Sequence, residues 1–194
     1  NFGRLDKTID YTGVSDPDYF RDLGTGLSVS SRVELERRAA VRYRYGDKAD
    51  ASGELDAQLW VQRFQRLDEL QTDAYQRLPQ LDLSYARQVL GPLEFGLVAQ
   101  AASFDRNNDD LSGVSRIVGE RFHLQPELRL PLQWPFAFAE FSAGMRYTAY
   151  DLRDVPDGSD ERPERSVGFA TADGGLFFER SMSLFGRPLI QTLE

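Results

Sequence analysis

Few side chains in this chain could carry out chemistry, and they are scattered. His123 is the only histidine and cysteine is absent, which excludes a histidine pair for zinc, a thiolate nucleophile and a disulfide framework within these residues. Gly24 and Gly26 form only a GxG, without the third glycine of a nucleotide-binding loop. No serine stands in a specific arrangement with the histidine, as a hydrolytic triad requires. We therefore predict no catalytic residue, no metal site and no cofactor, and we do not expect an enzyme.

Two acidic segments are the remaining candidates, at 105–110 (DRNNDD) and 151–164 (DLRDVPDGSDERPE). They resemble calcium-binding loops only superficially, because neither has the alternating ligands, sixth-position glycine and twelfth-position glutamate of an EF-hand. Solvated exterior loops are the expected structure. Attraction of divalent cations beside an anionic lipid surface is the alternative. The net charge of −8 opposes nucleic-acid binding, which needs a clustered basic face.

The elements that must position these residues are indicated by a sequence period of two. Between 32 and 45 one parity is mostly apolar and the other mostly charged, and the same alternation returns at 80–85 and 140–149. Further strands fit at about 2–12, 54–66, 93–105, 115–132, 165–178 and 188–194. The pattern predicts an all-β chain with about nine antiparallel strands.

Strand length and hydropathy favour a membrane barrel over a soluble sandwich. No apolar run approaches the roughly 18 residues of a helical span, whereas 32–45 exceeds the usual soluble strand of about five or six residues. In the ambiguous strand at 54–66 we expect Leu59 and Val61 to face outward. At Pro126 we expect a bulge or an unpaired position, because proline removes a ladder donor.

The connections alternate in length, as expected for an up-and-down transmembrane barrel. Longer polar connections lie at 13–30, 67–76, 106–114 and 153–165, and shorter ones lie near 46–53, 87–91, 133–136 and 179–187. Because outer-membrane barrels carry their longer loops outside, we expect the first group to be extracellular. Aromatic residues near the short turns could form an interfacial girdle, although ordinary strand enrichment explains them equally well: Tyr43, Tyr45, Trp134, Phe136 and Phe138.

Five segments resemble the lipopolysaccharide-assembly outer-membrane protein family (LptD, also OstA/Imp), in a Pseudomonas-like form. They are DYTGVSDPDYFRDLG at 10–24, YQRLPQLDLSY at 75–85, GPLEFGL at 91–97, MRYTAYDL at 145–152 and GLFFERSMSLFGRPLIQTLE at 175–194. The resemblance implies a large barrel in the Gram-negative outer membrane that inserts lipopolysaccharide into the outer leaflet. It also implies a plug lipoprotein of the LptE type and a periplasmic bridge protein of the LptA type as partners. We expect residues 1–194 to be part of one barrel domain, with the jelly-roll domain and the remaining strands absent.

In such a barrel the polar parity would line a hydrated interior. The candidates for the lipopolysaccharide path are Arg42, Gln62, Asp82, Glu94, Glu140 and Arg146. The recurrent arginines of this parity could meet phosphorylated sugars. Salt bridges within the lumen, with Glu34, Glu94, Glu120 and Glu140 as acceptors, are the more ordinary role. A passive porin or substrate channel is the alternative function, and a lipase-type enzyme is a third.

Overall fold

The computed structural model describes residues 3–16, 34–47, 52–67, 74–106, 111–184 and 187–193, and from residue 179 onward it describes the backbone alone. The described chain is almost entirely β-strand, with one short 3₁₀ turn at Gly113–Arg116. The strands are β1 Arg4–Tyr11, β2 Glu34–Asp47, β3 Gly53–Arg66, β4 Gln76–Leu90, β5 Leu93–Asp105, β6 Val118–Trp134, β7 Ala137–Arg153, β8 Glu164–Leu176, β9 Phe178–Leu184 and β10 Arg187–Leu193. Within this described part, no helix is long and apolar enough to cross a membrane.

The first eight strands form a single antiparallel sheet in chain order, β1 to β8. Each strand pairs with the one before it and the one after it, which is the up-and-down topology predicted from the alternation. Among the described strands, β9 and β10 pair only with each other, as a separate two-stranded sheet. The ten described strands agree with the expectation of about nine, but the turn expected at 179–187 was wrong, because most of that segment is β9.

The connections confirm the predicted alternation in length along the eight-stranded sheet. Residues 12–33, 67–75, 106–117 and 154–163 join strands at one end, and residues 48–52, 91–92 and 135–136 join them at the other. β4 runs to Leu90, so the turn predicted at 87–91 begins later. Much of the first long connection, and residues 107–110 of the DRNNDD segment, lie outside the described residues.

The register gives the sheet an apolar face and a polar face. Opposed residues share a face, and one such row crosses the sheet through Val41, Leu59, Leu81, Ala101, Phe122 and Ala149. This side is the apolar face. The neighbouring row runs through Asp6, Arg42, Gln58, Asp82, Gln100, His123 and Thr148 and defines the polar face.

Large side chains on the apolar face are exposed. Leu59 is 50% exposed, Phe122 44% and Phe141 48%. In contrast, Trp60 and Gln80 are only 8% and 6% exposed and lie on the polar face. This is the reverse of a soluble domain, in which apolar side chains make the core.

Two local expectations can be compared with the register. Leu59 and Val61 lie on the apolar face, as expected, and Trp60 takes the polar side. At Pro126 the ladder to β5 is regular, while the ladder to β7 skips Gln125 and Pro126 without a change of register. The position is thus unpaired on one side and is not a bulge.

The register shifts elsewhere, around another proline. β4 is irregular between Arg77 and Gln80 in its ladder with β5, and the stretch between them contains Pro79. A proline cannot donate to the ladder, which accounts for an interruption at this position.

Candidate functional site: the polar face of the sheet

All six residues predicted for the lipopolysaccharide path lie on the polar face. Arg42 and Asp82 stand in the same cross-strand row, separated by Gln58. Gln62 lies on the long-connection side of that row, and the other three lie towards the short turns: Glu94, Glu140 and Arg146. That these side chains line a path for lipopolysaccharide stays a prediction.

Salt bridges join several strands across this face. Arg42 forms an ion pair with Asp56 on β3. Arg129 contacts Glu140 at 2.5 Å between β6 and β7. Because the side chains of this second pair are 48% and 36% exposed, solvent screens it and its contribution to stability is small. Such pairs make the face hydrophilic more than they hold it together.

Among the predicted salt-bridge acceptors, Glu140 forms an ion pair on the polar face and Glu120 does not lie on that face. Glu140 is paired with an arginine, and Glu94 lies opposite Arg129 in the register. Glu120, in contrast, shares its parity with Phe122 and lies on the apolar face opposite Asp151. It cannot pair with arginines on the polar face, because successive side chains of a strand point to opposite sides.

Asp82 is the centre of a hydrogen-bond network on the polar face. Its carboxylate accepts from the indole Nε1 of Trp60 at 2.6 Å, from Nε2 of Gln100 at 2.6 Å and from Nε2 of Gln80 at 2.8 and 3.0 Å. All three donors are neutral. A half-buried carboxylate that accepts several hydrogen bonds fixes the orientation of its donors. This network ties β3, β4 and β5 together.

Two glutamines link carboxylates to arginines that do not touch them. Gln62 donates to Glu36 at 2.7 Å and accepts from Arg77 at 2.6 Å. Gln100 does the same between Asp82 and Arg121. Each amide uses its donor and its acceptor end, so charges of opposite sign are coupled without forming an ion pair.

Possible metal ligands are not clustered in the described part of the chain. No group of three His, Asp or Glu side chains there could hold a metal ion. His123 Nδ1 contacts the hydroxyl of Thr148 at 2.8 Å across β6 and β7. The segment 154–163 connects two strands and carries exposed acidic residues, as expected for a solvated loop.

Four of the five aromatic residues predicted for a girdle are exposed, Tyr45 is half-buried, and the five do not all share a face. Trp134 and Phe136 are 43% and 63% exposed near the turn 135–136. Tyr43 stacks on Tyr45 on the apolar face, with ring centroids 6.5 Å apart. Phe138, however, lies opposite Gln133 on the polar side, so it cannot belong to a band on the apolar face.

Sequence reasoning missed an alternating set of arginines and aromatic rings on the polar face. Arg38, Trp60, Arg77, Phe104 and Arg121 come from five consecutive strands, and each guanidinium lies over the ring beside it. A signal was present, since Trp60 and Phe104 stand on the polar parity of their strands. The partners could not be identified without the register, because β4 slips at Pro79.

A family model described as "LptD: LPS transport system D" matches residues 4–194. The chain is 37% identical to the LPS-assembly protein LptD of Alcanivorax borkumensis over 197 residues, which covers 100% of the chain and 25% of that relative. It is 33% identical to the protein of the same name from Hahella chejuensis, covering 97% of the chain and 23% of the relative. For the protein of Pseudomonas aeruginosa strain UCBPP-PA14 the identity is 31%, with 96% of the chain and 22% of the relative covered.

The chain thus spans about a quarter of the length of the curated relatives it matches. Their common name describes an assembly protein, which agrees with the expectation that this chain is not an enzyme and does not favour the porin alternative. The family match, the relatives along the whole chain and the up-and-down sheet agree, and the chain belongs to the LptD family, the LPS transport system D.

Proposed function

We propose that this segment forms part of the wall of an outer-membrane β-barrel that assembles lipopolysaccharide into the outer leaflet of a Gram-negative bacterium. The observation that carries the proposal is the division of the sheet into two faces. Phe122, Phe141 and Leu128 are all 44% to 48% exposed on the apolar face, which suits contact with lipid hydrocarbon. The opposite face carries arginines, carboxylates and amides, which suits a hydrated saccharide.

The length of the strands supports a membrane-spanning wall. β6 and β7 each contain 17 residues, more than the roughly nine to eleven needed for a tilted strand to cross a bilayer. We also propose that residues 1–194 belong to one barrel domain that is completed by further strands of the whole protein. β1 and β8 each have one unpaired edge within the described sheet, and an edge cannot be left open in hydrocarbon.

The polar face provides the surface along which the saccharide would move. Arg42, Gln62, Asp82, Glu94, Glu140 and Arg146 line this surface in our proposal, and the acyl chains would leave sideways into lipid through a local and transient opening of the barrel. The partners proposed on family grounds are lipopolysaccharide, a plug lipoprotein of the LptE type and a periplasmic bridge protein of the LptA type.

The test is charge reversal on the polar face of the full-length protein, in cells depleted of their own copy. Arg42→Glu, Asp82→Lys, Glu94→Lys and Arg146→Glu are measured for lipopolysaccharide that becomes accessible at the cell surface. Asp157→Lys is the control, because Asp157 is exposed in the connection 154–163. We expect each polar-face variant that accumulates as folded protein to lower the delivery of lipopolysaccharide to the cell surface. The control should leave this delivery unchanged. Unchanged delivery across the whole set would refute the role of this face.

A planar-bilayer measurement separates the channel alternative. A barrel that carries lipopolysaccharide and is plugged by a partner stays closed to ions, whereas a porin conducts steadily. Sustained conductance by the purified full-length protein with its partner would favour the channel over the assembly function.

A further inference from the structure

An arginine–aromatic belt crosses the polar face on its long-connection side. It consists of Arg38, Trp60, Arg77, Phe104 and Arg121, one residue from each of β2 to β6. Arg38 and Arg77 lie over the ring of Trp60, with the guanidinium carbon 4.4 and 5.3 Å from the ring centroid. Arg77 and Arg121 lie over Phe104 at 6.0 and 5.6 Å. The rings hold three guanidinium groups in a line across five strands.

The belt arginines differ in their partners from Arg42 and Arg129 on the same face. Arg146, nearer the short turns, resembles the belt arginines, since it donates to Gln125 and lies over the ring of Phe169 at 4.7 Å. Arg42 and Arg129 each pair with a carboxylate. Among the described residues, the three belt arginines form no ion pair, and the hydrogen bonds of Arg77 and Arg121 go to the amide oxygens of glutamines. The Nε atom of Arg121 is buried and has no hydrogen-bond partner in the described chain. Within the part of the chain that the structure describes, the positive charge of the belt is therefore not neutralised by direct contact.

The described carboxylates near the belt form no ion pair with its arginines. Asp82 is occupied by three neutral donors, and Glu36 accepts from Gln62. Asp10 stands opposite Arg38 in the register without forming an ion pair with it. Towards the short turns the same face carries carboxylates and arginines together, and Arg129 pairs there with Glu140. An anion on the polar face would thus be attracted to the belt, whose arginines have no carboxylate in direct contact among the described residues.

We propose that the arginine–aromatic belt binds the phosphate groups of lipopolysaccharide while its saccharide lies on the polar face. The inference rests on the proposed function and names the residues that recognise the substrate. A guanidinium stacked on a ring keeps its in-plane N–H donors available, and its geometry matches a phosphate better than a lysine ammonium does. Three such groups in a row suit a ligand that carries more than one phosphate.

The test measures binding of lipopolysaccharide to the purified full-length protein in lipid nanodiscs, with phosphorylated and enzymatically dephosphorylated lipopolysaccharide as the two probes. We expect Arg77→Gln/Arg121→Gln to weaken binding of the phosphorylated probe by about tenfold or more. Binding of the dephosphorylated probe should change little. The charge-conserving variant Arg77→Lys/Arg121→Lys should recover only part of the loss, because it keeps the charge without the planar fork.

The matched control is Arg63→Gln, since Arg63 is an exposed arginine of β3 that lies on the apolar face opposite Arg37. Folding is checked for every variant by the heat-dependent shift in gel migration. If the double variant does not fold, the single variants Arg77→Gln and Arg121→Gln replace it, each with an expected loss of several-fold for the phosphorylated probe alone.

The outcomes distinguish the two proposals. If the wild-type protein binds neither probe and delivers no lipopolysaccharide, the proposed function fails. If the wild type binds lipopolysaccharide and the folded belt variants bind both probes as tightly as the wild type does, only the belt inference fails. Displacement of the glycolipid by an equal concentration of inorganic phosphate would assign the belt to free anions and would overturn the choice of ligand.

Discussion

Replacing Asp82 with asparagine tests whether a single carboxylate stabilises the buried part of the polar face. One oxygen accepts from Trp60 at 2.6 Å and the other from Gln100 at 2.6 Å, while Gln80 reaches both. In the asparagine variant one oxygen becomes an NH₂ donor, which faces another donor. If it faces the indole, an N–H that is buried with Trp60 at 8% exposure loses its acceptor.

The expected loss follows from these contacts. An unsatisfied buried donor costs about 1–3 kcal/mol, and hydrogen bonds to a charged acceptor lose roughly half their strength when the acceptor becomes neutral. We expect Asp82→Asn to lower the free energy of unfolding by about 2–4 kcal/mol in total. Asp56→Asn on the neighbouring strand is the matched control, because Asp56 has one arginine partner that is 46% exposed, and its loss should be far smaller.

The measurement is guanidinium unfolding of the full-length protein in lipid vesicles, analysed by linear extrapolation. A double-mutant cycle with Trp60→Phe isolates the indole bond. Removing the indole N–H should lower the free energy of unfolding in the wild type, and should lower it much less when Asp82 is already asparagine. Equal losses for Asp82→Asn and Asp56→Asn, or additive effects in the cycle, would contradict the network described above.

Three further predictions concern the backbone and the two faces. Gly119→Ala should reduce the folded yield, because the φ of Gly119 is +152° and a Cβ there would lie 2.2 Å from the carbonyl oxygen of Asp151. The control Gly96→Ala should fold normally, since the atom nearest to its added Cβ is 4.0 Å away. The heat-dependent shift in gel migration measures the folded yield of both variants. Phe141→Arg should destabilise the protein in vesicles by about 2–4 kcal/mol if the residue meets the bilayer midplane, and Ser142→Arg, one residue along on the polar face, should cost much less. Spin-label accessibility along 137–150 in lipid should alternate between oxygen-accessible and water-accessible positions at every residue, and a helical period would refute the strand.

The strand pattern was readable from the sequence because period and length are local properties. Between 32 and 45, apolar and charged residues alternate over a length that a soluble strand rarely reaches, and β2 occupies Glu34–Asp47. The alternation of long and short connections is equally local, which is why their order was predicted correctly along the eight-stranded sheet. The same reasoning failed at 179–187, where β9 pairs with β10 and leaves the main sheet. Which strands pair is a non-local choice that periodicity does not encode.

In the candidate site, too, the local pattern predicts the face on which a residue lies, whereas its contacts depend on strand pairing. The parity of Arg42, Asp82 and Arg146 depends only on strand alternation, and the six predicted residues accordingly share a face. Their partners depend on the register, which an irregularity at Pro79 changes by a shift that no sequence pattern announces. The sequence by itself therefore determined that this chain forms a sheet with one apolar and one polar face, because side-chain direction alternates at every residue of a strand. Only the tertiary structure decided that Asp82 collects three neutral donors and that arginines and aromatic rings form one belt, because both require residues from separate strands to meet at one level of the sheet.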